Sequence, residues 1–134
     1  MRIVMLIDSY PPMIGGAQQY VRNLSVALAA RGHDVAVATL GAAGLAPYEE
    51  DRGVRIYRLR GTLQRAPGVF RDRTHAPPVP DPELAAAIHD VIRLEQPEVV
   101  HSHNWMGRSF LPLKHWSKAK FVVSVHDYSL ECAT

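Results

Sequence analysis

The sequence is poor in cysteine and has no long hydrophobic run. Its 134 residues contain one cysteine, Cys132, which excludes an internal disulfide and fits a reducing cytoplasm. A membrane-spanning helix needs about 20 consecutive apolar residues, and no stretch approaches that length. The opening residues, MRIVMLIDSY, have only a short apolar segment and no small-residue cleavage site, unlike a secretory signal. The composition therefore predicts a globular, cytoplasmic protein of one domain.

Two patterns that would indicate other ligand classes are also missing. The G-x-G-x-x-G spacing of dinucleotide-binding folds is absent, and the second predicted strand ends in Ala38, Thr39 and Leu40, without an acid for a ribose. Aromatic residues make up 7% of the chain and are scattered, unlike the stacking surface of a nucleic-acid-binding protein. Binding of a nicotinamide cofactor and binding of nucleic acid are therefore both disfavoured.

Positive charge is unevenly distributed, although the net charge is only +2. Seven arginines lie between Arg52 and Arg73, and Asp72 is the single acidic residue among them. Such a cluster is most often a solvated face. The sharper hypothesis is that these arginines attract anionic lipid headgroups or a phosphate-bearing acceptor, which would give peripheral membrane contact.

Strands and helices alternate along the sequence. Short apolar or alternating runs predict five strands, which are Arg2–Asp8, Asp34–Thr39, Val54–Leu59, Glu98–Ser102 and Lys120–Val125. Helical spacing and capping residues predict helices over Ala17–Arg31, from the cap Asp81 to Glu95, and over Trp105–Trp116 with a kink at Pro112. The segments Gly41–Gly53 and Gly61–Pro80 are predicted as loops. This alternation predicts an α/β fold, a Rossmann-like parallel sheet flanked by helices, with strand order 3-2-1-4-5.

A glycine pair, Gly15 and Gly16, lies between the first strand and the first helix. Backbone N–H groups at the start of a helix suit an anion such as a diphosphate, and glycine leaves the approach open. In an open α/β sheet this turn lies at the carboxyl edge, where ligands bind. The alternative is a tight turn that only lets the helix pack closely against the sheet.

Polar residues follow two further strands at the same predicted edge. The fourth strand leads into His101, His103, Asn104 and Trp105, and the fifth leads into His126 and Asp127. Because residues two apart on a strand share a face, the histidines at 101 and 103 are expected on one side. They could line a ligand site or be structural, Trp105 could contact a ligand or belong to the core, and Asp127 could simply cap a turn. A metal-dependent hydrolase that uses His101, His103, His126 and Asp8 is an alternative, because histidine is a common metal ligand.

Four segments together resemble the N-terminal domain of family 4 retaining glycosyltransferases of the GT-B fold. They are Tyr10-Pro11-Pro12 with Gly15-Gly16-Ala17 and the helix to Leu28, Ala30-Arg31-Gly32-His33-Asp34-Val35, Pro97-Glu98-Val99-Val100-His101-Ser102-His103, and Val125-His126-Asp127-Tyr128. The segments span nearly the whole chain, and the Gly61–Pro80 loop is unmatched. Their order and spacing carry the resemblance.

The resemblance implies transfer of a sugar from a nucleotide sugar to an acceptor, with the anomeric configuration retained. The N-terminal domain of such enzymes mainly binds the acceptor, and a C-terminal domain holds the nucleotide. Gly15 and Gly16 would face the donor diphosphate, and His126 matches the histidine placed near the transferred sugar. The acceptor side would be lined by His101, His103, Asn104 and Trp105. The nucleotide sugar is a substrate, so no cofactor is expected. No metal is expected either, because helix dipoles and basic groups take its place at the diphosphate in this fold.

The resemblance also raises a question about domain organisation. We expect residues 1–134 to be one glycosyltransferase N-terminal domain, with loop 61–80 and without the C-terminal nucleotide-binding domain. Activity would then need a second domain. The alternative is a non-catalytic module that binds an acceptor, or one that pairs with a partner through the open sheet edge beyond the fifth strand.

Overall fold

The computed structural model describes residues 1–12, 15–42, 44–62 and 79–124. Its strands are β1 (Arg2–Leu6), β2 (Asp34–Leu40), β3 (Tyr48–Asp51), β4 (Val54–Leu59), β5 (Val99–His103) and β6 (Lys120–Ser124). Its helices are α1 (Gly16–Ala30), α2 (Pro82–Glu95) and the short α3 (Gly107–Phe110), which runs into a 3-10 turn over Leu111–Leu113. Of the helices in these ranges, none is both long and apolar enough to cross a membrane.

The strands form one sheet in the order β3-β4-β2-β1-β5-β6. All neighbours pair in parallel except β3, which runs antiparallel to β4. The five predicted strands correspond to β1, β2, β4, β5 and β6, so the predicted order is confirmed, as is the α/β class. Since β1 is central, the chain that follows it enters the middle of the carboxyl edge.

The strand β3 lies inside the segment that the sequence predicted as a loop, and this prediction was wrong. Its four residues, YEED, are largely exposed and polar, so they show no apolar alternation. The hairpin to β4 turns at Arg52 and Gly53, whose φ angles are 50° and 87°. Positive φ at both positions is the geometry of a type I′ turn, one of the two turn types that two-residue hairpins favour. At the sheet edge, Tyr48 also contacts Tyr57 edge-to-face, with ring centroids 5.2 Å apart.

Two apolar layers cover the faces of the sheet, because successive side chains on a strand point to opposite sides. The layer under α1 contains Ile3, Met5, Ile7, Val35, Val37, Ile56 and Val21. The layer under α2 and α3 contains Val4, Leu6, Ala36, Ala38, Leu84, Ile88 and Phe110. The two layers fix α1 and α2 on opposite faces of the sheet.

The ends of α2 match the sequence prediction and those of α3 do not. The carboxylate of Asp81 accepts hydrogen bonds from the backbone N–H groups of Glu83 and Leu84, as expected of a helix cap. The helix predicted over Trp105–Trp116 is only one turn long before it tightens to a 3-10 turn, in which Pro112 supplies no N–H. A Cβ on Gly107 would lie 2.0 Å from Ser102 Oγ, so this glycine allows α3 to lie directly against β5.

Candidate functional site

The loops after β1 and β5 meet at the carboxyl edge of the sheet. Leu6 is paired with Ser102, so the residues that follow each strand emerge side by side. Asp8 is buried, and its Oδ1 accepts a hydrogen bond of 2.7 Å from the backbone N–H of Met106. This bond ties the loop that leads to the glycine pair to the loop that contains Asn104 and Trp105. The predicted convergence of these two loops is confirmed.

Gly15 and Gly16 form the start of α1. Among the described residues, no side chain caps this helix start, and the first turn carries no acidic residue. The partial positive charge and the unpaired N–H groups of a first helical turn favour an anion. The arrangement therefore presents a small electropositive surface at the edge where β1 ends.

The two glycines differ in what surrounds them. A Cβ on Gly15 would lie 2.0 Å from Gln18 Oε1, because the Gln18 side chain folds back over the turn and donates to Ser9 Oγ at 2.6 Å. A Cβ on Gly16, an exposed position, would meet none of the described residues within 4 Å beyond its neighbours in the chain and the backbone of its own helix. The space next to Gly16 is therefore open to a ligand, whereas Gly15 makes room for Gln18.

The buried hydroxyl of Tyr10, which precedes this turn, is bonded to the carboxylate of Asp51 on β3. Tyr10 is 3% exposed, and its hydroxyl donates to Asp51 Oδ2 at 2.9 Å. Burial and the Asp51 carboxylate raise the pKa of Tyr10 well above its ordinary value, so the hydroxyl stays protonated. Burial disfavours the charged form of Asp51, but hydrogen bonds from Arg22 and Tyr10 outweigh it and lower its pKa. Asp51 is thus an anion that accepts from both neighbours.

The two histidines of β5, His101 and His103, lie on the same side, as their spacing predicted. Their ring centroids are 4.2 Å apart. His101 is partly exposed, and its Nε2 lies 2.6 Å from Ser124 Oγ on β6. His103 is fully buried, and its ring lies 6.3 Å from that of Tyr20 on α1. Of the pair, His101 is the one that solvent can reach.

The other two candidates after β5 shape the loop. Asn104 adopts a left-handed backbone conformation with φ of 60°, which asparagine tolerates better than most residues. Trp105 packs partly buried against the core layer under α2 and α3. The guanidinium of Arg108 lies 5.9 Å from its ring centroid. Trp105 therefore contacts the core with part of its ring, and the Arg108 guanidinium lies near the ring.

His126 and Asp127 lie outside the described residues, so their predicted roles stay predictions. Within the described ranges, no group of three or more histidine, cysteine, aspartate or glutamate side chains could hold a metal ion. The metal-dependent alternative would therefore need His126, and the described part of the site does not assemble one by itself.

The arginine-rich stretch is partly structural. Arg55 forms ion pairs with Asp34 and Glu95, and Arg58 is 6% exposed and pairs with Glu49. These two side chains do not form a solvated basic face, which corrects that expectation for this part of the stretch. Arg52 and Arg60 are exposed, and Arg65, Arg71 and Arg73 lie outside the described residues.

Two adjoining hollows lie away from this edge, between α2 and the residues after α3. One has a volume of about 260 Å³, and both are lined by His89, Leu113 and Trp116. The first hollow also reaches Gln96 and Pro97, before β5 begins, and the other one reaches Asp90. Of the predicted site residues that the structure describes, none lines either hollow.

Sequence reasoning missed Gln18, Arg22 and Asp51 around the glycine turn. Gln18 follows Gly15 by three residues, so its position on the first helical turn was a usable signal. Asp51 is separated from Tyr10 by 41 residues and lies in a strand without an apolar pattern. Only the pairing of β3 with β4 brings it to the site, and no local spacing indicates that pairing.

Comparison with known proteins gives concordant matches. A family model described as a glycosyl transferase 4-like domain matches residues 15–133. The chain is 29% identical over 129 residues to an uncharacterised glycosyltransferase of Methanocaldococcus jannaschii, covering 95% of this chain and 31% of that protein. It is 35% identical over 145 aligned positions to the glycogen synthase of Mycobacterium tuberculosis, covering 94% of this chain and 33% of that protein. The chain thus spans about a third of the length of these relatives.

Solved structures show the same fold. Sucrose-phosphate synthase from Thermosynechococcus elongatus superposes with a TM-score of 0.74 at 19% identity, over 96% of this chain and 33% of that one. The catalytic domain of starch synthase IV from Arabidopsis thaliana, bound to ADP and acarbose, gives a TM-score of 0.69 at 14% identity, over 95% of this chain and 34% of that one.

Proposed function

The chain belongs to the glycosyl transferase 4-like family, and we propose that it is the N-terminal, acceptor-side domain of a retaining glycosyltransferase. The reaction would move a sugar from a nucleotide-sugar donor to an acceptor. A second domain would hold the nucleotide, in keeping with relatives about three times as long as this chain. The donor would then lie between that domain and the carboxyl edge of this sheet.

The observation that carries this proposal is the open glycine turn at the start of α1. A diphosphate leaving group accumulates negative charge as its bond to the sugar breaks. Fixed N–H dipoles aimed at that charge stabilise the transition state without reorganising, as in other electrostatic catalysis. The open space at Gly16 and the absence of an acidic residue in the first turn are the features that such a role needs. ADP bound to the Arabidopsis starch synthase domain is a ligand of the corresponding class.

The acceptor side would be the end of β5 and the loop that follows it. His101 is a partly exposed residue near the end of this strand, which pairs with β1, and Asn104 and Trp105 begin the loop. An imidazole and an amide can hydrogen-bond sugar hydroxyls, and the remaining indole surface can contact a sugar face. His103 would act from the interior by supporting the His101 ring. His126 would contact the transferred sugar and Asp127 would adjoin it, as the family resemblance suggests.

The proposal is tested by a transfer assay on the protein as its source makes it. Nucleoside diphosphate sugars are screened for release of nucleoside diphosphate in the presence of a glycan acceptor, and proton NMR reads the anomeric configuration of the product. We expect release that depends on the acceptor, a product with retained configuration, and unchanged rates after treatment with EDTA.

Other outcomes favour other functions. Saturable binding of the acceptor without turnover of any donor would favour a non-catalytic binding module. Loss of activity on chelation, restored by zinc or manganese, would favour the metal-dependent hydrolase. A product of inverted configuration would contradict the retaining mechanism while keeping glycosyl transfer.

A further inference from the structure

One carboxylate, that of Asp51, holds both ends of the turn that contains the glycine pair. Its Oδ2 accepts from the Tyr10 hydroxyl at 2.9 Å and from Arg22 Nε at 2.8 Å, and its Oδ1 accepts from Arg22 Nη2 at 3.2 Å. Tyr10 precedes the glycines, and Arg22 follows them on α1. The Asp51 side chain, on the edge strand β3, therefore connects the chain before the glycine pair to the helix after it.

The same hairpin holds the turn at a second point through Arg58 on β4. This arginine is buried, and its Nη2 donates to the backbone carbonyl of Pro11 at 3.3 Å. It also donates to Glu49 Oε1 at 2.7 Å and to the carbonyl of Ala46 at 3.2 Å, so its charge is paired and both of its terminal nitrogens are hydrogen-bonded. A buried guanidinium bonded in this way has one arrangement, because breaking it would leave a charge unpaired away from water. The β3–β4 hairpin is therefore a rigid support for residues 10–12.

We infer that Asp51 is a positioning residue for the glycine turn. Through Tyr10 and Arg22 it sets where the N–H groups of Gly15 and Gly16 point, and so how well they meet the donor diphosphate. The inference rests on the proposed function, because it concerns the same turn. This inference gives a function to β3, whose residues belong to neither apolar layer of the sheet.

If Asp51 only stabilised the fold, its replacement would have different measurable effects. The side chains of Arg22 and Asp51 are 26% and 21% exposed, and ion pairs with access to water add little to stability. A purely structural carboxylate would change the unfolding midpoint and leave the folded turn as it is. A positioning carboxylate changes the environment of Gly15 and Gly16 in the folded state.

The experiment uses the 134-residue chain and compares Asp51→Asn, Tyr10→Phe and the double variant with the unchanged protein. Asp51→Asn removes the charge at nearly constant shape, and Tyr10→Phe removes only the hydroxyl. Glu50→Gln is the matched control, because Glu50 is an exposed carboxylate on the same strand whose described contact is the Tyr48 hydroxyl. Amide chemical shifts and hydrogen exchange of Gly15 and Gly16 are recorded first, followed by titration with inorganic pyrophosphate and a urea unfolding curve.

We expect Asp51→Asn to shift both glycine amides, to speed their exchange, and to weaken pyrophosphate binding about five- to tenfold, which corresponds to about one ordinary hydrogen bond. Tyr10→Phe should act in the same direction and add little in the double variant, because both changes break one network. Glu50→Gln should leave the glycine amides and the pyrophosphate affinity unchanged.

Glycine amides and exchange rates that stay unchanged in Asp51→Asn would overturn the inference, whatever happens to the urea midpoint. Failure of the unchanged protein to bind pyrophosphate would count against the proposed function instead. The amide shifts and exchange rates without ligand would still decide whether Asp51 positions the turn.

Discussion

Replacing Gly16 with leucine is expected to lower donor use about a hundredfold while leaving the fold intact. Gly16 is exposed, and within 4 Å of the new Cβ the structure describes no atoms beyond the chain neighbours and the backbone of the same helix, so we expect the fold to accept the side chain. Leucine also replaces glycine in the first turn of α1, where glycine is the weaker helix former by about 1 kcal/mol. The unfolding free energy should therefore stay unchanged or rise by up to about 1 kcal/mol.

The functional loss follows from the same geometry. A leucine side chain would occupy the space that the diphosphate needs and would separate it from the N–H groups of the turn. Loss of two charge-assisted hydrogen bonds costs about 3 kcal/mol or more, which is about a hundredfold in donor affinity or rate. The measurement is pyrophosphate affinity on this chain, together with transfer activity on the protein as its source makes it.

The matched control is Asn23→Leu. Asn23 is exposed on α1, two turns beyond Gly16, so the variant adds a leucine to the same helix away from the turn. It should retain affinity and activity within about twofold. Equal function in Gly16→Leu and Asn23→Leu would mean that no ligand approaches Gly16, and it would remove the main support for the proposed donor site.

The largest loss of stability is expected from Phe110→Ala. The ring is fully buried in the layer under α2 and α3, and its centroid lies 5.0 Å from that of Phe121 on β6. Removing it deletes the contacts that join α3 to the sheet and leaves a cavity. Truncating a buried phenylalanine costs about 3–5 kcal/mol, against a total of about 5–15 kcal/mol for a typical domain.

Urea unfolding checks this prediction, with Leu111→Ala as the control. Leu111 is the next residue along the chain and is 49% exposed, so its truncation should cost less than about 1 kcal/mol. A loss below about 1.5 kcal/mol in Phe110→Ala would contradict the burial of this ring and the docking of α3 that depends on it.

The sequence predicted the sheet well because its signals are local. Apolar runs mark the buried strands, and the cap at Asp81 with proline after it marks the start of α2, which the structure confirms. Alternation of strands and helices then limits the order of a parallel sheet to few possibilities. The glycine pair could be located for the same reason, because it follows a strand and precedes a helix.

The parts of the fold and of the site that the sequence did not predict depend mainly on strand pairings that no local pattern indicates. The residues of β3 are polar and exposed, so the strand exists through its hairpin with β4 rather than through burial of its own side chains. Asp51 and Arg58 reach the turn only through that hairpin, from 41 and 47 residues away. The helix predicted to reach Trp116 was too long because apolar spacing continues past Pro112, although the backbone there tightens into a 3-10 turn.

The central claim is that the turn at Gly15 and Gly16 binds the diphosphate of a sugar donor. Amide NMR of the 134-residue chain during titration with pyrophosphate tests it most directly, with Gly53 in the distant β3–β4 turn as the internal reference. Our account predicts saturable shifts of the Gly15 and Gly16 amides that are lost in Gly16→Leu, while the Gly53 amide stays in place. Shifts that spread over the surface without saturating, or that leave Gly15 and Gly16 unmoved, would contradict it.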